Sequence, residues 1–530
     1  MKCARHIAIG IIALVFAALS SWWLLHVPYA PDKLFAPIPA NALLVSSHER
    51  LAERWSDFTA NPVTLSLFSS LGIKPEDLKD LEKDPEGRKW FHLLADRKVV
   101  LAYVPSLGSQ GRPAWIITSW LGGRSQRLRW QLGWGSLPGF KQISPHPSRP
   151  YWSVRTKFLD PQTTLSISLI EGMLVACISD HPDNMRRILD TSDGLLGSVT
   201  LRPDFRQTMT LNTTGALDRG WITAGAMGLR IDPSLTHFTY EFDRIEAQAL
   251  KGSITCDVAD KTLKETGFKP DTTGLGRLLG SIPIGLGLFS KATALSFFDN
   301  FKSMTWIRAL KSVVEAEEGS TVFVAVLGED YSGRMMGLKM PTLLAGLQTR
   351  NPENARTNMA HAMDRINALH QWGLIPRAVP VGEQTISAIE STSGSAYSKF
   401  APEEQLAYAT CGGWLLWCSN EDTLKKLVER YDRLESKDEE TKGSWLSGAG
   451  NCRTPVWTWF DLDRGSKTLR LAVATYSLKL LMDDAQQTQP LRQNLNELKA
   501  WIDSIAPMKS CLLSLSATNG QSMLSFELGK

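Results

Sequence analysis

Apolar and polar positions alternate with a period of two in many short runs of this chain. Leu165, Ile167 and Leu169 alternate with Ser166 and Ser168, the spacing of a strand with one buried face. Glu171-Gly172 then marks a turn, and "MLVACIS" reads as a wholly apolar returning strand. A polar start signal and the stripe Met185, Ile188, Leu189 predict a helix after it. The same order recurs from Gln405 to Asp432: an apolar strand, Gly412-Gly413, "WLLWC", then a helix with Leu424, Leu427, Val428 and Tyr431 at i, i+3, i+4, i+7.

Two further pairs of segments match. "IPANALLVSSHERLAERWSDF" and "IPIGLGLFSKATALSFFDNF" each predict a strand introduced by Ile-Pro and followed by a helix. Leu51, Trp55 and Phe58 make the stripe in one, and Ala294, Phe297, Phe298 and Phe301 in the other. Residues 97–120 and 320–340 each read as a hairpin whose turn ends in Gly-Arg. The C-terminus predicts a closing hairpin around Asn519-Gly520, a favoured type I′ turn. Before it, Leu491, Leu495, Leu498, Ile502 and Ile505 predict a helix. The expected fold class is therefore α+β: an N-terminal transmembrane helix, then a tandem duplication of antiparallel-sheet domains with helices on one face. The expected division is 36–268 for the first repeat, 269–281 for a linker and 282–530 for the second.

The transmembrane expectation comes from the first residues. Lys2 and Arg5 precede an uncharged run from Ile7 to Leu25, and no acidic residue appears before Asp32. A run of that length suits a span, which needs roughly 17–25 residues. Basic residues before it favour a cytoplasmic N-terminus. This predicts a basic tip over 1–6 and an anchor over 7–27. The body would then lie in the periplasm, held to the bacterial inner membrane by a single pass. "FAALSS" offers the competing reading of a cleaved signal peptide. Trp22 and Trp23, suited to a membrane interface, favour the uncleaved signal anchor.

Composition adds little. A net charge of +4 over 530 residues is too weak to point to nucleic acid. Six cysteines follow the expected span, but Cys177 and Cys418 sit in apolar strands, where a thiol behaves as a small hydrophobe. Buried thiols with at most one bridge are expected.

One patch of the chain carries candidate chemistry. His361 and His370 lack the spacing of a zinc protease helix. Gly274, Gly276 and Gly280 precede a strand rather than follow one, against a dinucleotide loop. Asp461 and Asp463 share a strand face, an arrangement that more often ends a strand in a turn. No cofactor and no metal site is expected. In "GGRSQRLRWQLGW", Arg124 and Arg127 sit beside Trp130 and Trp134, which are four apart on one helix face. That patch can hold a glycan or an anionic lipid headgroup; the simpler reading places the tryptophans in the core and the arginines in solvent.

"IPANALLV", a helix ending in an aromatic, and "GMLVACISD" followed by a helix ending "RILD" resemble a bacterial family of single-span exported proteins of unknown function. The resemblance implies location and fold and carries no catalytic residues. The expected function is a membrane-anchored envelope protein, a non-enzymatic binding or scaffold module. Other envelope proteins, lipid or glycan are its expected partners, and nucleic acid is not. The alternatives are a lipid- or glycan-binding protein and a periplasmic hydrolase whose site is assembled from distant residues.

Overall fold

The computed structural model describes residues 14–16, 27–70, 76, 78, 83–105, 107, 112–143, 149–154, 163–211, 215–227, 235–257, 268–299, 305–331, 333–335, 338–392, 406–434, 442–468, 470, 473, 495, 499, 502, 503, 505–518 and 521–529. The chain forms two compact units. Unit 1 is Met1–Ala60, Phe68–Ile245 and Ile254–Asp257; unit 2 is Asn61–Leu67, Glu246–Ser253 and Val258–Lys530. They are not two successive stretches, because residues 61–67 and 246–253 belong to the second unit.

Unit 1 is an antiparallel sheet. Its strands are β1 (Leu44–Glu49), β2 (Lys98–Val104), β3 (Ala114–Trp120), β4 (Lys141–Gln142), β5 (Tyr151–Val154), β6 (Thr164–Ile170), β7 (Met173–Ser179), β8 (Asp218–Thr223) and β9 (His237–Glu246). They pair in the order β4-β5-β6-β7-β3-β2-β1-β8-β9. β10 (Ala249–Cys256) is divided between the units. Four helices concern the argument: α1 (Trp55–Ala60), α2 (Pro85–Ala95), α3 (Arg124–Gly133) and α4 (Asn184–Ser192).

Unit 2 repeats this order with β11 (Pro283–Ser290), β12 (Thr321–Leu327), β15 (Leu343–Gln348), β16 (Leu374–Val381), β17 (Gln384–Ser391), β18 (Ala407–Cys411), β19 (Trp414–Cys418), β20 (Val456–Asp461), β21 (Ser510–Thr518) and β22 (Gln521–Leu528). They pair as β16-β17-β18-β19-β15-β12-β11-β20-β21-β22. A small separate hairpin, β13 (Gly333–Met335) with β14 (Leu338–Met340), lies between β12 and β15 in sequence. The helices are α5 (Leu275–Leu279), α6 (Lys291–Asp299), α7 (Thr305–Ala316), α8 (Pro352–His370), α9 (Glu421–Arg433) and α10 (Leu446–Asn451). The β18–β19 turn needs positive φ at both central residues, which Gly412 and Gly413 supply at 58° and 82°. At the matching β6–β7 turn, Glu171 and Gly172 adopt 43° and 91°.

Two expectations are corrected. Helices cover both faces of each sheet, not one. In unit 1, Val45, Val100, Ala102, Val175 and Cys177 pack with Met185, Ile188 and Leu189 of α4. On the opposite face Ile167, Leu174, Ala176 and Ile117 pack with Leu128 and Leu132 of α3 and Trp90 and Leu93 of α2. In unit 2, Phe323, Ala325, Leu344 and Leu416 meet Leu424, Leu427 and Val428 of α9; Tyr408 and Leu415 on the other face meet α7 and α8. The physical reason is in the strands: β7 and β19 are apolar at successive positions, as strands buried on both sides must be.

Second, no described helix is long and apolar enough to cross a membrane. The expected transmembrane helix and signal anchor are therefore not shown. Of the run Ile7 to Leu25, residues 14–16 alone are described; the rest of it lies outside the described residues, as do Asn519-Gly520 and most of the helix expected over 491–505. Within the stretch 269–281, expected as a linker, lies α5, whose Leu275, Leu278 and Leu279 are buried in the unit 2 core. Each such leucine contributes roughly 1.5–3 kcal/mol by leaving water. The six described cysteines are free thiols, five of them buried.

Candidate functional site

Two places in unit 1 carry more than packing. The first is α3. Ser125, Leu128 and Leu132 form its buried stripe. Leu128 and Leu132 lie against Trp152, Ile167 and Leu174 of the sheet. The stripe offset from it points outward: Trp130 is 46% and Trp134 79% exposed. Their rings stack with centroids 6.3 Å apart and planes 19° from parallel. The simpler reading, with both rings in the core, is thus reversed. Arg127 is exposed one turn from Trp130. Arg124 is exposed too, but its Nη1 donates to Asp96 Oδ2 at 2.8 Å. Arg129 donates from Nη2 to the Leu169 carbonyl at 3.0 Å, which ties the helix to β6. So the fold brings Arg127, Trp130 and Trp134 together and engages Arg124 elsewhere. From residue 97 to residue 159 the chain has no Asp or Glu and ten Lys or Arg.

The second place is a polar network on β1 and β8. Alternation puts Ser46 and His48 on one face of β1. Register places Gly220 beside Ser46 and Asp218 beside His48. Ser46 Oγ hydrogen-bonds His48 Nε2. His48 Nδ1 lies 2.8 Å from Asp218 Oδ1. Arg54, on the turn before α1, donates from Nη2 to Asp218 Oδ1 at 2.9 Å and from Nη1 to Asp218 Oδ2. Tyr240 O–H donates to Ser46 Oγ at 2.9 Å. Phe58 stands edge-on to the His48 ring at 6.1 Å and lies under the Arg54 guanidinium at 5.4 Å.

Burial raises the Asp218 carboxyl, but the hydrogen bonds and charges of His48 and Arg54 outweigh it and hold the group below its ordinary value. Asp218 is thus an anion at neutral pH. Burial pushes the Tyr240 phenol up to about 12, against a smaller opposing effect of Ser46, so it remains a donor.

Unit 2 shows what the fold itself needs at these positions. Val45 pairs with Ala102 and Trp221, as Leu286 pairs with Ala325 and Trp459. In that alignment Gly287 stands for Ser46, Phe289 for His48, Val456 for Asp218, Thr458 for Gly220 and Leu513 for Tyr240. The same strand order is built there without the ionic network, so the order does not require it. Sequence reasoning missed it because Asp218 lies 170 residues from His48. The match of Ser46 and His48 to Gly287 and Phe289 follows from strand register, which differs from the alignment of the two Ile-Pro segments.

The other sequence candidates have local roles. Asp461 accepts from the Arg464 amide at 3.0 Å and pairs with its side chain at 2.7 Å. Asp463 pairs with Lys467. His361 and His370 lie on α8. Among the described residues no group of three metal-ligating side chains converges.

No family model and no curated protein matches the chain. A solved structure, titled crystal form I of TP0453, is similar over 44% of this chain and 80% of its own, at 9% identity and a TM-score of 0.27.

Proposed function

We propose that this protein is a binding module of the cell envelope that engages an anionic lipid surface through α3. The observation that carries the reading is the stacked, outward pair Trp130 and Trp134 beside Arg127, on a helix whose leucines already fill the core. Nothing in the packing of unit 1 requires two large rings in solvent. Indole rings favour the level of lipid headgroups, where an apolar face and a polar N–H are both accommodated. A cation held near an anionic leaflet adds about 1 kcal/mol each. Arg127, exposed one turn from Trp130, supplies the matching charge. A glycan also stacks on indole, but a neutral one gives no role to the Arg127 cation.

The test is flotation of the full chain with phosphatidylcholine vesicles, with and without phosphatidylglycerol. The apolar run Ile7–Leu25 is common to every variant, so differences between variants report α3. Trp130→Ala with Trp134→Ala should abolish the phosphatidylglycerol-dependent part of binding. Equal flotation of that variant and the parent, or retention on a glycan surface with no lipid dependence, overturns the reading.

A further inference from the structure

We infer that Ser46 and His48, positioned by Asp218, form a nucleophilic site that hydrolyses carboxylic esters. This stands on residues other than those of the lipid-surface reading and does not depend on it.

Three features converge. Ser46 Oγ and His48 Nε2 share a hydrogen bond, and His48 Nδ1 lies 2.8 Å from Asp218 Oδ1; with the ring proton on Nδ1 donated to that carboxylate, Nε2 is left to accept from the Ser46 hydroxyl. That is the tautomer in which Nε2 accepts a proton from the hydroxyl while the carboxylate stabilises the imidazolium. Arg54 holds both Asp218 oxygens and so fixes the carboxylate against rotation. Lastly, unit 2 has Gly287, Phe289 and Val456 at these positions, so neither the sheet nor its core calls for a serine, a histidine and an aspartate. Ser46 is 5% exposed, and the neighbouring His48 and Arg54 side chains keep 12% and 20% of their surface.

The chemistry balances without a cofactor. Ser46 Oγ attacks the ester carbonyl carbon and its proton passes to His48 Nε2. The bond from that carbon to the alkoxy oxygen breaks, and His48 returns the proton to the departing alcohol. Water attacks the acyl-Ser46 ester and gives its proton to His48. The carboxylic acid leaves, and Ser46 regains its proton. The Tyr240 hydroxyl, 2.9 Å from Ser46 Oγ, is a hydrogen-bond donor beside the nucleophile, where charge develops on the carbonyl oxygen.

The experiment treats the full chain with an alkyl fluorophosphonate and locates the adduct by peptide mass mapping. Serine Oγ displaces fluoride from phosphorus, with the proton taken by His48. A parallel assay follows p-nitrophenyl acetate. The expected result is one adduct, on Ser46, with ester turnover. Ser46→Gly and His48→Phe place in unit 1 what unit 2 carries, which makes them compatible with the sheet, and circular dichroism checks that each is folded. Ser46→Gly should lose adduct and turnover, and His48→Phe should slow both by about 10²-fold or more. Asp218→Asn should lower kcat while keeping KM. A folded parent that gains no adduct on Ser46 overturns the inference, as does turnover that survives Ser46→Gly.

Discussion

Tyr240 reaches across Gly220 to donate its hydroxyl to Ser46 at 2.9 Å. The three residues lie in one row on adjacent strands, Ser46 beside Gly220 and Gly220 beside Tyr240. A Cβ on Gly220 would come within 2.3 Å of the Tyr240 ring. The missing side chain is what lets a ring on β9 reach a hydroxyl on β1.

Gly220→Ala is therefore expected to destabilise unit 1 by about 1–3 kcal/mol, the range for overpacking a filled site. Combining it with Tyr240→Ala should cost less than the sum of the two singles, because the clash is gone. Denaturant titrations of the four proteins measure the coupling.

Stability should fall in acid through Asp218. Its carboxyl is held below the ordinary 3.8, by His48 and Arg54 against the effect of burial. A group depressed in the fold stabilises above its unfolded value and loses that contribution as pH falls through the folded one. The slope should therefore appear below about pH 4 and be shallower in Asp218→Asn. At neutral pH that variant leaves Arg54 without its anion and should lose about 3 kcal/mol. Urea midpoints from pH 3 to 7 test the sign and the window.

The two stripes of α3 should separate in mutation. Leu128→Ala removes a core contact and should cost about 2–5 kcal/mol. Trp134→Ala, at a side chain mostly in solvent, should change stability by less than about 0.5 kcal/mol. If both cost the same, Trp134 is part of the core.

α5 should behave as core, not as linker. Leu278→Ala is expected to lower the stability of unit 2 by about 2–5 kcal/mol. A flexible connection would be indifferent to it.

Local pattern carried much of the fold. The alternation at Leu165–Leu169, the turn at Gly412-Gly413 and the stripe at Leu424–Val428 predict β6, the β18–β19 turn and α9. The two-sided cover was also written in the chain, in the uninterrupted apolar runs of β7 and β19, whereas a succession of hairpins by itself suggests cover on one face. The α3 face was ambiguous for a physical reason. Leu128 with Leu132 and Trp130 with Trp134 are both spaced by four, so periodicity offers two stripes and hydrophobicity alone favours the larger rings. The Ser46 network was out of reach because it depends on β1 pairing with β8, and register between strands so far apart is set by the whole sheet.

The most direct test of the lipid-surface account is flotation of the parent chain and of Trp130→Ala/Trp134→Ala/Arg127→Glu as phosphatidylglycerol is titrated into phosphatidylcholine vesicles. The account predicts that parent binding rises with anionic lipid and falls with added salt, while the variant stays at the level set by phosphatidylcholine alone. Parent and variant rising together with phosphatidylglycerol would contradict it.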